Sequence, residues 1–246
     1  METIGILKKE ETIGEIVTSD FRKAQVFKSF GIDFCCGGKK TVAEVCEKKG
    51  INPDTVINAL NQLNAQDSTT ENEHSKWNIA FLAEYIVNTH HEYVKENIPF
   101  MTELAEKVAR VHGAEHPELV KVAELFGIVA NELISHLMKE ERMLFPFIKE
   151  LHAAQINGTQ IPPTVFGDVS NPIQMMESEH EQAGDILRSI REITNNFALP
   201  QEACNSYTIL FKKLEEFEND LHRHVHLENN ILFPKTLAVK KELESA

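Results

Sequence analysis

The chain has 246 residues, 42% of them hydrophobic and 26% charged, a balance that belongs to folded globular chains and excludes disorder or a fibre as the main theme. Its net charge of −13 opposes the counterion release that drives nucleic-acid binding, so DNA and RNA are not expected partners. Apolar runs are only a few residues long against roughly 20 for a bilayer crossing, and Met1 to Gly14 lacks the basic start and apolar core of a signal peptide; a cytoplasmic protein with no membrane partner is expected.

In chain order, Thr12 with Glu15 and Thr41 with Glu44 each form a capping-box pattern, Asp20 opens a helix ending near Gly31, and Asn52-Pro53 opens another. Phe27, Phe30, Val42, Val45, Ile57 and Leu60 can line one small core. Acidic and basic side chains balance over residues 1–60, so the whole negative excess lies beyond them, which suggests two modules. Residues 1–63 form the first, and the polar stretch 64–76, with no apolar periodicity, reads as a linker. About sixty residues is marginal for independent stability, so this module is expected to lean on the second one or on another subunit, which makes a homodimer an expectation.

Residues 77–240 carry apolar positions at spacings of three and four in four stretches, about 77–111, 117–151, 171–196 and 200–240, without strand alternation. The predicted fold class is therefore all-α: a small N-terminal helical domain followed by a four-helix bundle. Pro99 inside the first stretch should kink or split that helix, and the 152–170 connection is the longest of the bundle.

The bundle contains an internal duplication. Residues 136–146 read HLMKEERMLFP and residues 224–234 read HVHLENNILFP, sharing His, Glu four residues on, and Leu-Phe-Pro at the end. His91 lies 45 residues before His136, and His180 lies 44 before His224. Residues four apart sit about 6 Å apart along one helix face, so His136 with Glu140, and His224 with Glu228, can each chelate one centre. Antiparallel packing would bring both pairs together in the core, with His91 and His180 completing a set of four imidazoles and two carboxylates. Each carboxylate can bridge two cations and screen their repulsion, so the set suits two iron ions, with coordination positions left open. A lone His-x-x-x-Glu is most often a solvated pair on an amphipathic helix; two copies with one tail are not explained that way. His90, His222 and His226 are rotated about 100° or 200° from the ligand directions and are expected at the surface or behind the ligands. Glu132 and Glu179 are candidates to hydrogen-bond a ligand imidazole or relay protons, the plain alternative being exposed carboxylates.

Four cysteines are present, of which Cys35 and Cys36 are adjacent; this is neither a disulfide framework nor a zinc ribbon, and it fits a reducing compartment. The pair lies in the glycine-rich Asp33-Phe34-Cys35-Cys36-Gly37-Gly38 turn before the helix at Thr41, near Lys39 and Lys40, where exposed backbone N–H groups should stabilise thiolates. Iron or cluster docking, thiol exchange and persulfide or NO chemistry are the functional options; a pair of small buried hydrophobes is the other reading.

DFCCGG at 33–38, HLMKEE with its LFP, MESEHEQAG at 176–184 and HLENNILFP at 226–234 together resemble the iron–sulfur cluster repair di-iron proteins, which pair a short cysteine-bearing domain with a hemerythrin-like bundle. The resemblance covers nearly the whole chain and implies iron ligands at His91, His136, Glu140, His180, His224 and Glu228. It further implies two oxo- and carboxylate-bridged irons per chain, manganese or zinc being less expected, and repair of clusters damaged by nitric oxide or peroxide through iron donation. Damaged iron–sulfur proteins or cluster-assembly proteins would be the partners, with Cys35 and Cys36 required. Only four inward histidines are available, which departs from the five of the oxygen-carrying hemerythrins. The competing readings are a di-iron NO or peroxide reductase and a small-gas or redox sensor.

Overall fold

The computed structural model describes residues 7–63 and 74–245. Most of the 64–76 linker lies outside the described residues; 74–76 form a short 3₁₀ turn.

Four short helices build the N-terminal module: α1 (Ile13–Ser19), α2 (Lys23–Ser29), α3 (Val42–Lys49) and α4 (Pro53–Asn61). Their starts are fixed locally. Both capping boxes form, Thr12 with Glu15 and Thr41 with Glu44, and Asn52 caps α4 with Pro53 in its first turn. These side chains satisfy backbone N–H groups that a helix start leaves unpaired. A single bridge between Thr12 and Thr41 ties the two capped starts together. Phe27, Val42 and Leu60 are buried, and Phe30, Val45 and Ile57 pack against them half-buried. This core runs without a break into the upper interior of the bundle, so the module finds its packing partner in its own chain.

Four long helices follow, three of them interrupted by one wide turn. The first is α5 (Ile79–Ile86), a π turn at Val87–His91 and α6 (Glu92–His112). The second is α7 (Glu118–Lys139), a π turn at Glu140–Leu144 and α8 (Phe145–Asn157). The third is α9 (Ser170–Ile193), and the fourth is α10 (Asn205–Leu227), a π turn at Glu228–Leu232 and α11 (Phe233–Glu244). Helix α6 packs on α7 and α10, and α7 on α9. Among the described residues no helix is long and apolar enough to cross a membrane.

Two expectations need correction. Pro99 does not split its helix: α6 runs through it, and the irregularity lies earlier, at 87–91. Helix α8 continues to Asn157, where Gly158 adopts the left-handed conformation that closes a helix, so the connection spans only 158–169. The π turns themselves are a finding. Each closes with an i→i−5 bond, Phe145 N–H to Glu140 C=O and Phe233 N–H to Glu228 C=O among them. The duplicated proline follows directly, at Pro146 and Pro234, where a residue without N–H can enter the helix because the ladder has already widened.

The apolar interior is two clusters, not one. The upper includes Leu133, Leu137, Ala183 and Val225, and the lower includes Ile86, Leu144, Met176 and Leu227. Between them, at the level of the π turns, lies a layer of buried histidine and glutamate.

Candidate metal centre

His91, His136, Glu140, His180, His224 and Glu228 all converge in that layer, each nearly or fully inaccessible to solvent. They form two overlapping groups, His91–Glu140–His224–Glu228 and His136–Glu140–His180–Glu228, in which every pair of potential ligand atoms lies within 4.8 Å. Both carboxylates belong to both groups. Glu140 Oε2 stands 3.4 Å from His91 Nε2 and 3.3 Å from His136 Nε2; Glu228 stands 2.9 Å from His224 Nε2 and 3.1 Å from His180 Nε2. Two donors about 2.1 Å from one cation at a right angle are about 3.0 Å apart, so these separations suit a shared cation.

Three of the four imidazoles are held from behind. His91 Nδ1 bonds Glu141, His136 Nδ1 bonds Glu179, and His180 Nδ1 bonds Asn229 Oδ1, each at 2.9 Å. An N–H donated from Nδ1 leaves the Nε2 lone pair of a neutral ring facing inward. With both rings neutral, the His136 and His180 Nε2 atoms, 3.0 Å apart, would meet lone pair to lone pair and face carboxylates that have no proton to give. Among the described residues, the buried His91 Nε2 and both Glu140 oxygens find no hydrogen-bond partner. Such a layer is unfavourable unless positive charge enters it. The protonation equilibria point the same way. Burial disfavours charge on His91 and His136, yet the facing glutamates raise both to about 10. Burial and the Glu228 charge act to raise Glu140, but His136 and His91 outweigh them and bring it to about 2. Burial likewise opposes the Glu228 charge, and His224, His180 and His91 still hold it well below the usual carboxylate range. The donor set therefore fits a pair of cations.

Two of the supporting residues, Glu141 and Asn229, escaped the sequence reading. Both occupy the same place in the duplication, five residues after His136 and His224, and each holds the histidine supplied by the preceding helix of its own half. That repeat position was the available signal. Glu179 does what one reading allowed: burial opposes its charge, but the His136 hydrogen bond, with Lys139 paired beside it, keeps its pKa low. Glu132 is exposed and, with Lys139, Glu179, His136 and His180, lines a cleft of about 300 Å³ between α7 and α9.

Neither His90 nor His226 lies at the surface, each being 2% exposed, and His90 takes the other expected place, behind one of the six converging side chains. His90 bonds Asp220 and stacks its ring on His224 at 5.6 Å. His226 packs against Phe21 and Phe34 and contacts Asn230 through Nδ1, and the half-buried His222 meets Phe34. The N-terminal module covers this side of α10, which helix geometry left open between solvent and the back of the six-residue set.

The cysteine turn sits on the π turn that carries Glu228. Asn230 donates to the Phe34 and Cys35 carbonyls at 3.3 and 3.2 Å, and Asn229, which holds His180, reaches the Cys35 carbonyl at 3.5 Å. Glycines make this approach possible: a Cβ on Gly38 would stand 2.1 Å, and on Gly14 2.5 Å, from Asn230 Oδ1. The expected thiolate is overturned at Cys35. Its hydrogen bond with Cys36, its burial and the nearby Asp33 carboxylate push the thiol well above its usual range, while Lys39 is taken by Glu177 at 2.6 Å.

A helical bundle whose core offers two adjoining histidine–carboxylate sets has the make-up of a cation-binding protein, and the comparisons narrow the class. Residues 82–236 match the hemerythrin HHE cation binding domain, and residues 9–64 match ScdA_N, described as a domain of unknown function. The chain is 34% identical to the iron-sulfur cluster repair protein YtfE of Cronobacter sakazakii, over 95% of this chain and 99% of that one. It is 31% identical to the iron-sulfur cluster repair protein ScdA of Staphylococcus epidermidis, over 94% and 99%, and 36% identical to YtfE of Citrobacter koseri, over 94% and 98%. The chain belongs to the iron–sulfur cluster repair protein family, with its two-part order of an ScdA_N domain followed by a hemerythrin HHE domain.

Proposed function

We propose that this protein repairs damaged iron–sulfur clusters by donating iron from a centre of two ions held by His91, His136, Glu140, His180, His224 and Glu228, in the cytoplasm and under nitrosative or oxidative stress. The observation that carries the reading is that two His₂Glu₂ sets share both carboxylates, an arrangement with a purpose for two cations and none for one. Bound iron would supply a redox-active, exchangeable cation able to react with a small oxidant or nitric oxide and to pass to a cluster. Within the chain, Glu140 and Glu228 hold the two positions together and balance their charge. Glu141, Glu179 and Asn229 aim the imidazoles, and the apolar clusters above and below exclude bulk water. The cleft between α7 and α9 leaves the His136/His180 side approachable by a small molecule.

Metal content and optical spectrum of anaerobically purified protein test the centre. Two irons per chain, with oxo-bridged near-ultraviolet absorption after oxidation, are expected in the wild type, and loss of both ions in Glu140→Ala and Glu228→Ala. Transfer is tested by mixing loaded protein with an enzyme whose cluster has been damaged by NO; the iron-loaded protein should restore activity and the metal-free protein should not. Iron content indifferent to both glutamates would end the di-iron reading, and loaded protein without effect on the damaged enzyme would end the donation reading.

A further inference from the structure

Outside the bundle layer, the DFCCGG turn assembles a second set of ligand atoms. Asp33, Cys35 and Cys36 each place one within 4.8 Å of the others. The two sulfurs are 3.9 Å apart, and Cys35 Sγ is 3.2 Å from Asp33 Oδ1. A tetrahedral cation with bonds of about 2.3 Å to sulfur and 2.0 Å to oxygen sets its ligands roughly 3.8 Å apart for a sulfur pair and 3.5 Å for sulfur and oxygen. The sulfur pair and the Cys35–Asp33 pair already stand within a few tenths of an ångström of those spacings, and Cys36 lies within 4.8 Å of Asp33.

The set is held by its own backbone. Asp33 Oδ1 accepts the N–H groups of Cys35 and Cys36, both at 3.0 Å. A Cβ on Gly37 would stand 2.6 Å from the Asp33 carbonyl, so the turn closes this tightly only with glycine there. Cys35 is buried, whereas Cys36 and Asp33 reach solvent. Three protein donors with one side open describe a site that a cation can enter and leave. The Arg188 guanidinium, 3.9 Å from Asp33 Oδ2, offsets the negative charge of two thiolates and a carboxylate around a divalent ion.

We propose that Asp33, Cys35 and Cys36 form a second, exchangeable site for a thiophilic divalent cation of tetrahedral preference, such as Zn²⁺ or Fe²⁺, distinct from the bundle centre. On binding, the two thiols lose their protons to solvent and no group changes oxidation state. Binding itself is independent of the repair reading; that reading only adds that iron leaving the bundle is the cargo.

The test uses the full chain with its iron loaded and reduced, carrying Cys204→Ser because the exposed Cys204 thiol lies 3.1 Å from His112 Nε2. Anaerobic titration with Co²⁺ should give a thiolate-to-cobalt charge-transfer band and tetrahedral visible bands that saturate at one added equivalent, with iron content unchanged. Cys36→Ser should abolish the charge-transfer band, and Asp33→Ala should weaken cobalt binding about tenfold or more. Circular dichroism and iron content check that each variant is folded. As a measurement that needs no change in the turn, Zn²⁺ should protect Cys36 from alkylation. Absence of the band in the parent, its survival in Cys36→Ser, or unprotected Cys36 in zinc would overturn the proposal. A cobalt band in protein that holds no iron would instead sink the bundle reading and leave this one standing.

Discussion

Glu140 and Glu228 differ from the four histidines in what their loss does. Each faces both ligand sets, so Glu140→Ala should cost both ions, whereas His136→Ala, which touches one set, should leave about one ion per chain by metal analysis. The orienting residues act more gently. Asn229→Ala removes the acceptor of the His180 Nδ1–H and should lower affinity on the His136/His180 side by about 10–100-fold, read by chelator competition. Among the described residues His224 Nδ1 has no hydrogen-bond partner, and its ring is backed instead by His90, at the place where the other half of the duplication has Glu179 behind His136. Two cations held there would therefore be bound unequally, and loading should proceed in two resolvable steps. At this scale the convergence of the six side chains was legible in the sequence, because a helix converts a spacing of four into a shared face. Glu141 and Asn229 were legible only as repeat positions whose partner lies on another helix.

Among the elements, the π turns and the cysteine turn matter most. Glu140 and Glu228 each open a π turn, and the Leu-Phe-Pro tail that identified the duplication marks where it ends; the sequence displayed the tail without saying that the ladder widens there. The cysteine turn depends on close backbone approach. Gly38→Ala would drive a methyl group into Asn230, so it should release the turn from the bundle and raise the alkylation rate of Cys35, buried in the wild type, about tenfold or more, the equivalent of roughly 1.4 kcal/mol of docking free energy. The caps are simpler. Thr41→Ala removes the side-chain acceptor of the Glu44 N–H and should cost about 1 kcal/mol in denaturant unfolding.

For the whole molecule, the join between module and bundle carries a pH dependence. Glu218 is buried and accepts from Arg191 and, across the join, from Lys28 at 3.0 Å. Burial acts to raise its pKa, but Arg191 and Lys28 outweigh it and the folded value falls below 4.5. A carboxylate depressed in the folded state contributes stability that is present above about pH 4.5 and lost as pH falls through the folded value. Glu218→Gln should accordingly lower stability near neutrality by on the order of 2 kcal/mol, and the difference from wild type should vanish at low pH, as denaturation curves across that range will show.

The sequence by itself determined the all-α class, the four long amphipathic helices, the capped starts of the N-terminal module and the six converging residues. Each of these follows from periodicity or capping along one stretch of chain, where local geometry decides the outcome. Only the tertiary structure decided that one apolar core spans module and bundle, that His90 and His226 are buried, that Glu132 is exposed while Glu179 holds His136, and that Cys35 remains a thiol. Those outcomes depend on which surface comes to lie against which, and on the charge and burial found there. The register of the DFCCGG turn against Asn229 and Asn230 is the clearest case: it joins residues nearly two hundred positions apart, through contacts that no spacing along the chain encodes.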